Sequence, residues 1–275
     1  MTRSKRRTRR LLQVAGAGAA VLMALSACSS SDDSSSAAAG SSAGSSSSPK
    51  LSGAVTVFAA ASLQESFTTL GKEFEKQHPG TKVSFNFGGS DTLAASITGG
   101  APADVFAAAS AKTMATVTDK NDAVGTPATF VRNQLAIATL PGNPDKISSL
   151  KDLTESGLKV VLCDKTVPCG AAAQKALDAS RLKLTPASYE QDVKSALTKV
   201  ELKEADAAVV YQTDVKAAGD KVEGVNFPES AGAVNDYPIT LLKNAPNAAA
   251  AKAFIALVQS AEGRRVLTEA GFLKP

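Results

Sequence analysis

The sequence predicts an α/β fold of mainly parallel sheets flanked by helices, and three observations carry that prediction. From Leu51 onward, short apolar runs rich in Val, Ile, Phe and Ala alternate with segments whose apolar residues recur at the helical period. These strand–helix units continue to the C-terminus with no internal repeat, the pattern of an α/β protein rather than of a bundle or a sandwich. At 275 residues and 44% hydrophobic content, the chain is long enough to bury a sizeable core in one or two domains.

The N-terminus stands outside that pattern. Arg3, Lys5, Arg6, Arg7, Arg9 and Arg10 precede an apolar run, Leu11–Ala27, of 17 residues. A transmembrane helix needs roughly 20, so the run fits the core of a signal peptide. It ends in Leu25-Ser26-Ala27-Cys28, which reads as a lipobox: residues 1–27 are removed and Cys28 becomes a lipidated first residue. The alternative is an ordinary secreted protein cut at a small-residue site beside an incidental Cys. The Arg9-Arg10 pair leaves the export route open between the general and the twin-arginine pathways. Residues 28–50 are nearly all Ser, Ala and Gly, too poor in apolar surface to fold, and read as a tether with a reach of roughly 25 Å.

Removing the six leader cations turns a net charge of +4 into −2. A mildly acidic globule has no electrostatic footprint for nucleic acid. With 10 Phe, 3 Tyr and no Trp, the best stacking side chain is also absent.

The elements then follow in order. Ala54–Ala60 is a buried strand. Leu63, Phe67, Leu70 and Phe74 mark a helix ended by His78-Pro79-Gly80, and Ser62 with Glu65 three residues on suggests a capping box at its start. Val83–Phe87 is a strand, Asp91–Thr98 a helix and Asp104–Ala108 a strand. Further units are Gln134–Thr139 with Ser148–Leu153, Lys159–Cys163 with Gly170–Ala179, and the Glu190–Lys203 helix with the Ala207–Tyr211 strand. Val234–Leu242 is a late strand, and helices near 247–259 and 262–270 close the chain.

In open α/β sheets, ligands sit beyond the carboxyl ends of strands, where helix N-termini converge. Ala59–Ser62, Phe87–Ser90 and Val167–Gly170 are such turns. Each places small residues, and two place a Ser, where backbone N–H groups lie unpaired at the positive end of a helix. This is the chemistry of an anion site made from neutral donors, although a single Ser here is equally a plain N-cap.

Five motifs make the resemblance specific. Val57-Phe-Ala-Ala-Ala-Ser-Leu63, Phe87-Gly-Gly-Ser-Asp-Thr-Leu93, Gly100-Ala-Pro-Ala-Asp-Val-Phe106, Val167-Pro-Cys-Gly170 and Val210-Tyr211 resemble, in order and spacing, the molybdate-binding proteins of bacterial ABC importers across nearly all of residues 53–275. The resemblance implies a two-lobed type II periplasmic-binding fold that closes on molybdate or tungstate, with no cofactor, no counter-cation and no catalysis. It implies hydroxyl and amide donors at Ser62 and Ser90, backbone amides at Cys169 and Val193, and a phenol at Tyr211. Cys169 stands where the family has Ala, which an amide contact tolerates. The implied partners are an importer's permease and ATPase, with the chain a monomer held by its lipid anchor at the outer face of the cell membrane. The lobes are expected over 51–132 plus 238–275 and over 133–237.

Cys163 and Cys169 form an even pair in an oxidising compartment and bracket a short loop, so a disulfide is expected, with free thiols as the alternative. A metal site would need more ligands and a nearby His. The rival functions are binding of sulfate or phosphate on the same fold, a tethered sensor, and an extracellular Ser hydrolase. The last lacks Gly-x-Ser-x-Gly, and its only His, His78, sits in a helix-ending turn. Asp104 and Asp214 read as structural carboxylates that satisfy backbone amides.

Overall fold

The computed structural model describes residues 50–275; the leader, Cys28 and all but the last residue of the tether lie outside the described residues. Two five-stranded sheets with helices on their faces form two lobes. In chain order the elements are β1 (Gly53–Ala60), α1 (Gln64–Gln77), β2 (Thr81–Gly88), α2 (Ser90–Thr98), β3 (Val105–Ala107), α3 (Ala111–Thr118) and β4 (Ala123–Asn133). After these come β5 (Leu135–Thr139), β6 (Val160–Cys163), α4 (Pro168–Ala179), β7 (Ser188–Glu190), α5 (Val193–Glu201), β8 (Ala207–Tyr211), α6 (Gln212–Ala218) and β9 (Glu223–Val225). Last are β10 (Asn235–Leu242), α7 (Ala248–Gln259) and α8 (Ala261–Glu269).

The first sheet runs β2-β1-β3-β10-β4 and the second β7-β6-β8-β5-β9. Both are mixed: in each, four of the five strands point one way and a single strand, β10 in the first and β5 in the second, runs against them, so the sheets are mainly parallel as expected. β1 pairs parallel with β2 and β3, and β6 with β7 and β8. β10 runs antiparallel to β3 and β4, and β5 antiparallel to β8 and β9. The antiparallel members are those next to the crossings between lobes, where the chain enters a sheet from the far side. One crossing spans the single residue between Asn133 and Leu135, and the other precedes Asn235. Asp236 and Tyr237 therefore pair with Arg132 and Val131 of β4 in the first sheet, whereas the expected boundary put them in the second lobe.

Each sheet is buried on both faces, and its strands accordingly read as continuous apolar runs. On one face of the first sheet, Val55 and Val57 pack against Phe67, Leu70 and Phe74 of α1 and Phe254 of α7, and the Phe254 ring meets Phe67 and Phe74 edge-on. On the other face, Phe58 and Phe106 pack with Leu93, Ile97 and Met114. The second lobe has its own core around Leu135, Ile137, Leu162, Leu177 and Val209.

Two local expectations differ from the structure. Residues 148–151 do not begin a helix; Asp152 Oδ2 instead accepts the Ser148 and Ser149 N–H groups and the Ser148 hydroxyl, leaving a 3-10 turn at Asp152–Thr154. Nor is there a Ser62–Glu65 capping box. Ala61–Leu63 is a 3-10 turn, α1 begins after it, and both side chains have partners elsewhere in the fold.

Candidate functional site

The carboxyl ends of β1, β2, β6 and β8 face one another where the lobes meet, and the helices that follow start there. Ser90 is the first residue of α2, Cys169 the second of α4 and Val193 the first of α5. The first N–H groups of a helix have no partner within it, so these three helices aim unpaired amides at a common point. Ser62, from the turn after β1, and Tyr211, at the end of β8, complete the wall. All five residues expected from sequence line one cavity, together with Ala60, Ala61, Gly88, Gly89, Ala109, Val167, Pro168 and Asp192. Three sides belong to the second lobe and two to the first.

Side-chain and backbone hydrogen bonds hold the hydroxyls that line this cavity. Ser90 Oγ accepts the Ala109 N–H at 3.0 Å, leaving its own proton to donate. Asn235 Nδ2 donates to Tyr211 Oη at 2.8 Å, with the same consequence for the phenol. Asn133 Nδ2 donates to Tyr237 Oη at 3.3 Å, and Tyr237 Oη lies 2.8 Å from Ser62 Oγ. Either hydroxyl of the Ser62–Tyr237 pair can supply the shared proton. Burial pushes both tyrosine phenols well above their ordinary value, so both stay protonated.

The cavity is small. It has room for a small inorganic ion and none for a sugar or a peptide. Among the described residues no Lys or Arg lines it. Its floor is backbone: a Cβ on Gly89 would strike the Gln191 carbonyl oxygen of the opposite lobe, so only glycine allows this approach.

Among the groups that brace the donors, sequence reasoning missed Asn235, whereas Asp214 as a structural carboxylate and the Cys163–Cys169 bridge were expected. Asn235 also donates to the carbonyls of Ala109 in the first lobe and Pro168 in the second. Asp214 is fully buried, and its Oδ2 accepts the Tyr211 N–H at 3.1 Å. Burial lifts its carboxyl to about 6 against the pull of Lys194 and the Tyr211 amide. Cys163 and Cys169 are joined by a disulfide that closes the loop before α4, and Thr166 in that loop donates to Asp91 of the first lobe at 3.1 Å. Asp104 spans the Thr56 and Asn247 N–H groups, a structural carboxylate. His78 ends α1 with its ring on Phe74 and does not line the cavity, so it offers no base to a nucleophilic serine there.

Two lobes joined by crossing strands, with a small cavity in the cleft between them, are the architecture of a solute-binding protein. Residues 55–273 match the bacterial extracellular solute-binding proteins, and the chain belongs to that family. It is 45% identical over 222 residues to the molybdate-binding protein ModA of Mycobacterium tuberculosis, covering 81% of this chain and 85% of the relative. Its fold superposes on the periplasmic molybdate-binding protein of Azotobacter vinelandii with a TM-score of 0.68 at 20% identity, over 80% of this chain and 99% of that one. The sulfate-binding protein SubI of Mycobacterium tuberculosis shares the fold as well, with a TM-score of 0.67 at 17% identity over 80% and 86% of the two chains. Fold alone therefore does not choose the anion.

Proposed function

We propose that the chain captures molybdate, and tungstate as well, between its lobes and delivers it to the permease and ATPase of an ABC importer. The observation that carries the reading is the convergence of five neutral donors, Ser62, Ser90, Cys169 N–H, Val193 N–H and Tyr211, on one small cavity. A relative 45% identical to the chain bears the name of a molybdate binder, which supports the same choice.

Energetics permit it without a cation. A buried unpaired dianion is costly, but hydrogen bonds to a charged acceptor contribute roughly 1.5–3 kcal/mol each. Five give on the order of 10 kcal/mol gross, from which closure and desolvation are subtracted, leaving micromolar affinity or better within reach. A site without a counter-ion also releases its anion readily, as a carrier must. The amides are fixed in the backbone, so they reach a larger tetrahedral anion at hydrogen-bond distance and leave sulfate under-coordinated. Cys28, as the lipidated residue, would hold the carrier at the outer membrane face within reach of its permease.

Calorimetry of the purified protein with molybdate, tungstate, sulfate and phosphate tests the reading. Molybdate and tungstate should bind at least about 100-fold tighter than sulfate, a gap of roughly 2.7 kcal/mol. Equal binding of sulfate, or tighter binding of phosphate, refutes it.

A further inference from the structure

Just outside the anion cavity, one ammonium touches both lobes. Lys194 follows the amide donor Val193 on α5, and its Nζ lies 2.9 Å from Glu65 Oε1 on α1 and 3.2 Å from Asp214 Oδ1 at the start of α6. Its side chain lines the wider cleft mouth beside Gln64, Phe87 and Glu190 and does not reach the anion cavity itself. Asp214 supports Tyr211 through the amide N–H, and Glu65 opens the helix that follows the Ser62 turn. A single charge thus ties together the elements that carry Val193, Tyr211 and Ser62. Lys199, also at the mouth, is held by Glu204 of its own lobe and makes no such link.

We propose that Lys194 is an inter-lobe latch: anchored in the second lobe on Asp214, it grips Glu65 of the first and so sets how long the bound oxyanion is retained. This rests on the reading of the cavity as an oxyanion site. Any rotation about the crossings at 133–135 and 234–235 that opens the cleft must part Lys194 from Glu65, whereas the Lys194–Asp214 contact travels with one lobe. The anchor arm is well protected, because the Lys194 side chain is 19% exposed and that of Asp214 fully buried. Burial alone would lower the ammonium, but Asp214 and Glu65 hold it above its ordinary value, so it stays charged throughout. The grip arm is weaker: the Glu65 side chain is 49% exposed, in the range where ion pairs contribute modestly. That asymmetry suits a latch, which must let go while its base stays fixed.

The test is the rate at which bound molybdate is replaced by excess tungstate, followed by native mass spectrometry at 0.15 M salt. Glu65→Gln removes the grip and leaves the buried anchor intact, so folding is not at stake. It should speed exchange about fivefold, equivalent to ~1 kcal/mol, with its melting temperature without ligand unchanged. Lys194→Met should speed exchange at least as much, and Glu65→Gln added to Lys194→Met should change nothing further, since Glu65 acts only through Lys194. Exchange by Glu65→Gln at the wild-type rate, or additive effects of the two substitutions, overturns the latch. A wild-type chain that loads neither ion would instead overturn the oxyanion reading.

Discussion

Ser90→Ala separates a ligand donor from a structural hydroxyl, because this oxygen braces Ala109 in the structure and donates to the anion in the proposed site. Its proton is free for the anion, and its lone pair holds the Ala109 N–H at 3.0 Å in a buried setting. Removing the donor to an ionised ligand should weaken molybdate binding by about 1.5–3 kcal/mol, roughly 10- to 150-fold in Kd. Stranding the Ala109 amide should also cost the ligand-free protein about 1–2 kcal/mol, seen as a fall of roughly 2–6 °C in Tm. Calorimetry reads the first effect and thermal unfolding without ligand the second. Ser62→Ala should show the same affinity loss, and it strands the Tyr237 phenol instead. His78→Ala should leave affinity unchanged. If Ser90→Ala lowers Tm but binds molybdate within twofold of wild type, the hydroxyl only braces Ala109 and the donor assignment fails.

Reduction of Cys163–Cys169 should weaken molybdate binding by about 1 kcal/mol or less while the far-ultraviolet circular dichroism stays native, because the loop carries the Thr166–Asp91 contact but little of either core; a complete loss of binding would contradict this. Asp214 should titrate near pH 6 by carboxyl 13C NMR, and higher in Lys194→Met, which removes the charge that pulls it down. With the folded value above the ordinary one near 3.8, the native state holds a proton that the unfolded chain has lost between about pH 4 and 6. This group's contribution to stability should fall by on the order of 3 kcal/mol as pH rises through that window, and Asp214→Asn should flatten the slope in urea unfolding. Glu75, Asp152 and Asp164 are lowered by their backbone hydrogen bonds and act with the opposite sign, losing their stabilisation only at more acidic pH.

Strands β1 and β8 were legible because both faces are buried and every position is apolar or small. β4 was not. Gly125, with a positive φ of 68°, and Pro127 interrupt it, and it pairs at the sheet edge through shifts in register, all of which erase the alternation that marks a strand. β9 has only three residues and offers no period to detect. The Ser62–Glu65 spacing obeyed a local rule that tertiary partners overrode: Tyr237, 175 residues away, takes the hydroxyl, and Lys194 takes the carboxylate. The candidate donors Ser62, Ser90 and Cys169 were readable because each sits at a strand-to-helix turn with small neighbours, whereas Val193 and Tyr211 came from the family resemblance alone. Their supports Asn133, Asn235 and Tyr237 come from distant segments, and nothing in the local sequence around them announces a partner.

The bare backbone contact between Gly89 and Gln191 makes the protein a caliper whose jaws are main chain. The gap between lobes is stopped by peptide groups, which neither change rotamer nor shorten by substitution, so the width offered to an anion is insulated from drift in the surrounding side chains. In the proposed oxyanion site, selection by size would then rest in part on two turns of main chain, beside the side-chain donors Ser62, Ser90 and Tyr211. A methyl group at position 89 would act as a shim: it would hold the jaws apart and shift the gauge toward larger anions, at the cost of every contact that depends on the lobes meeting.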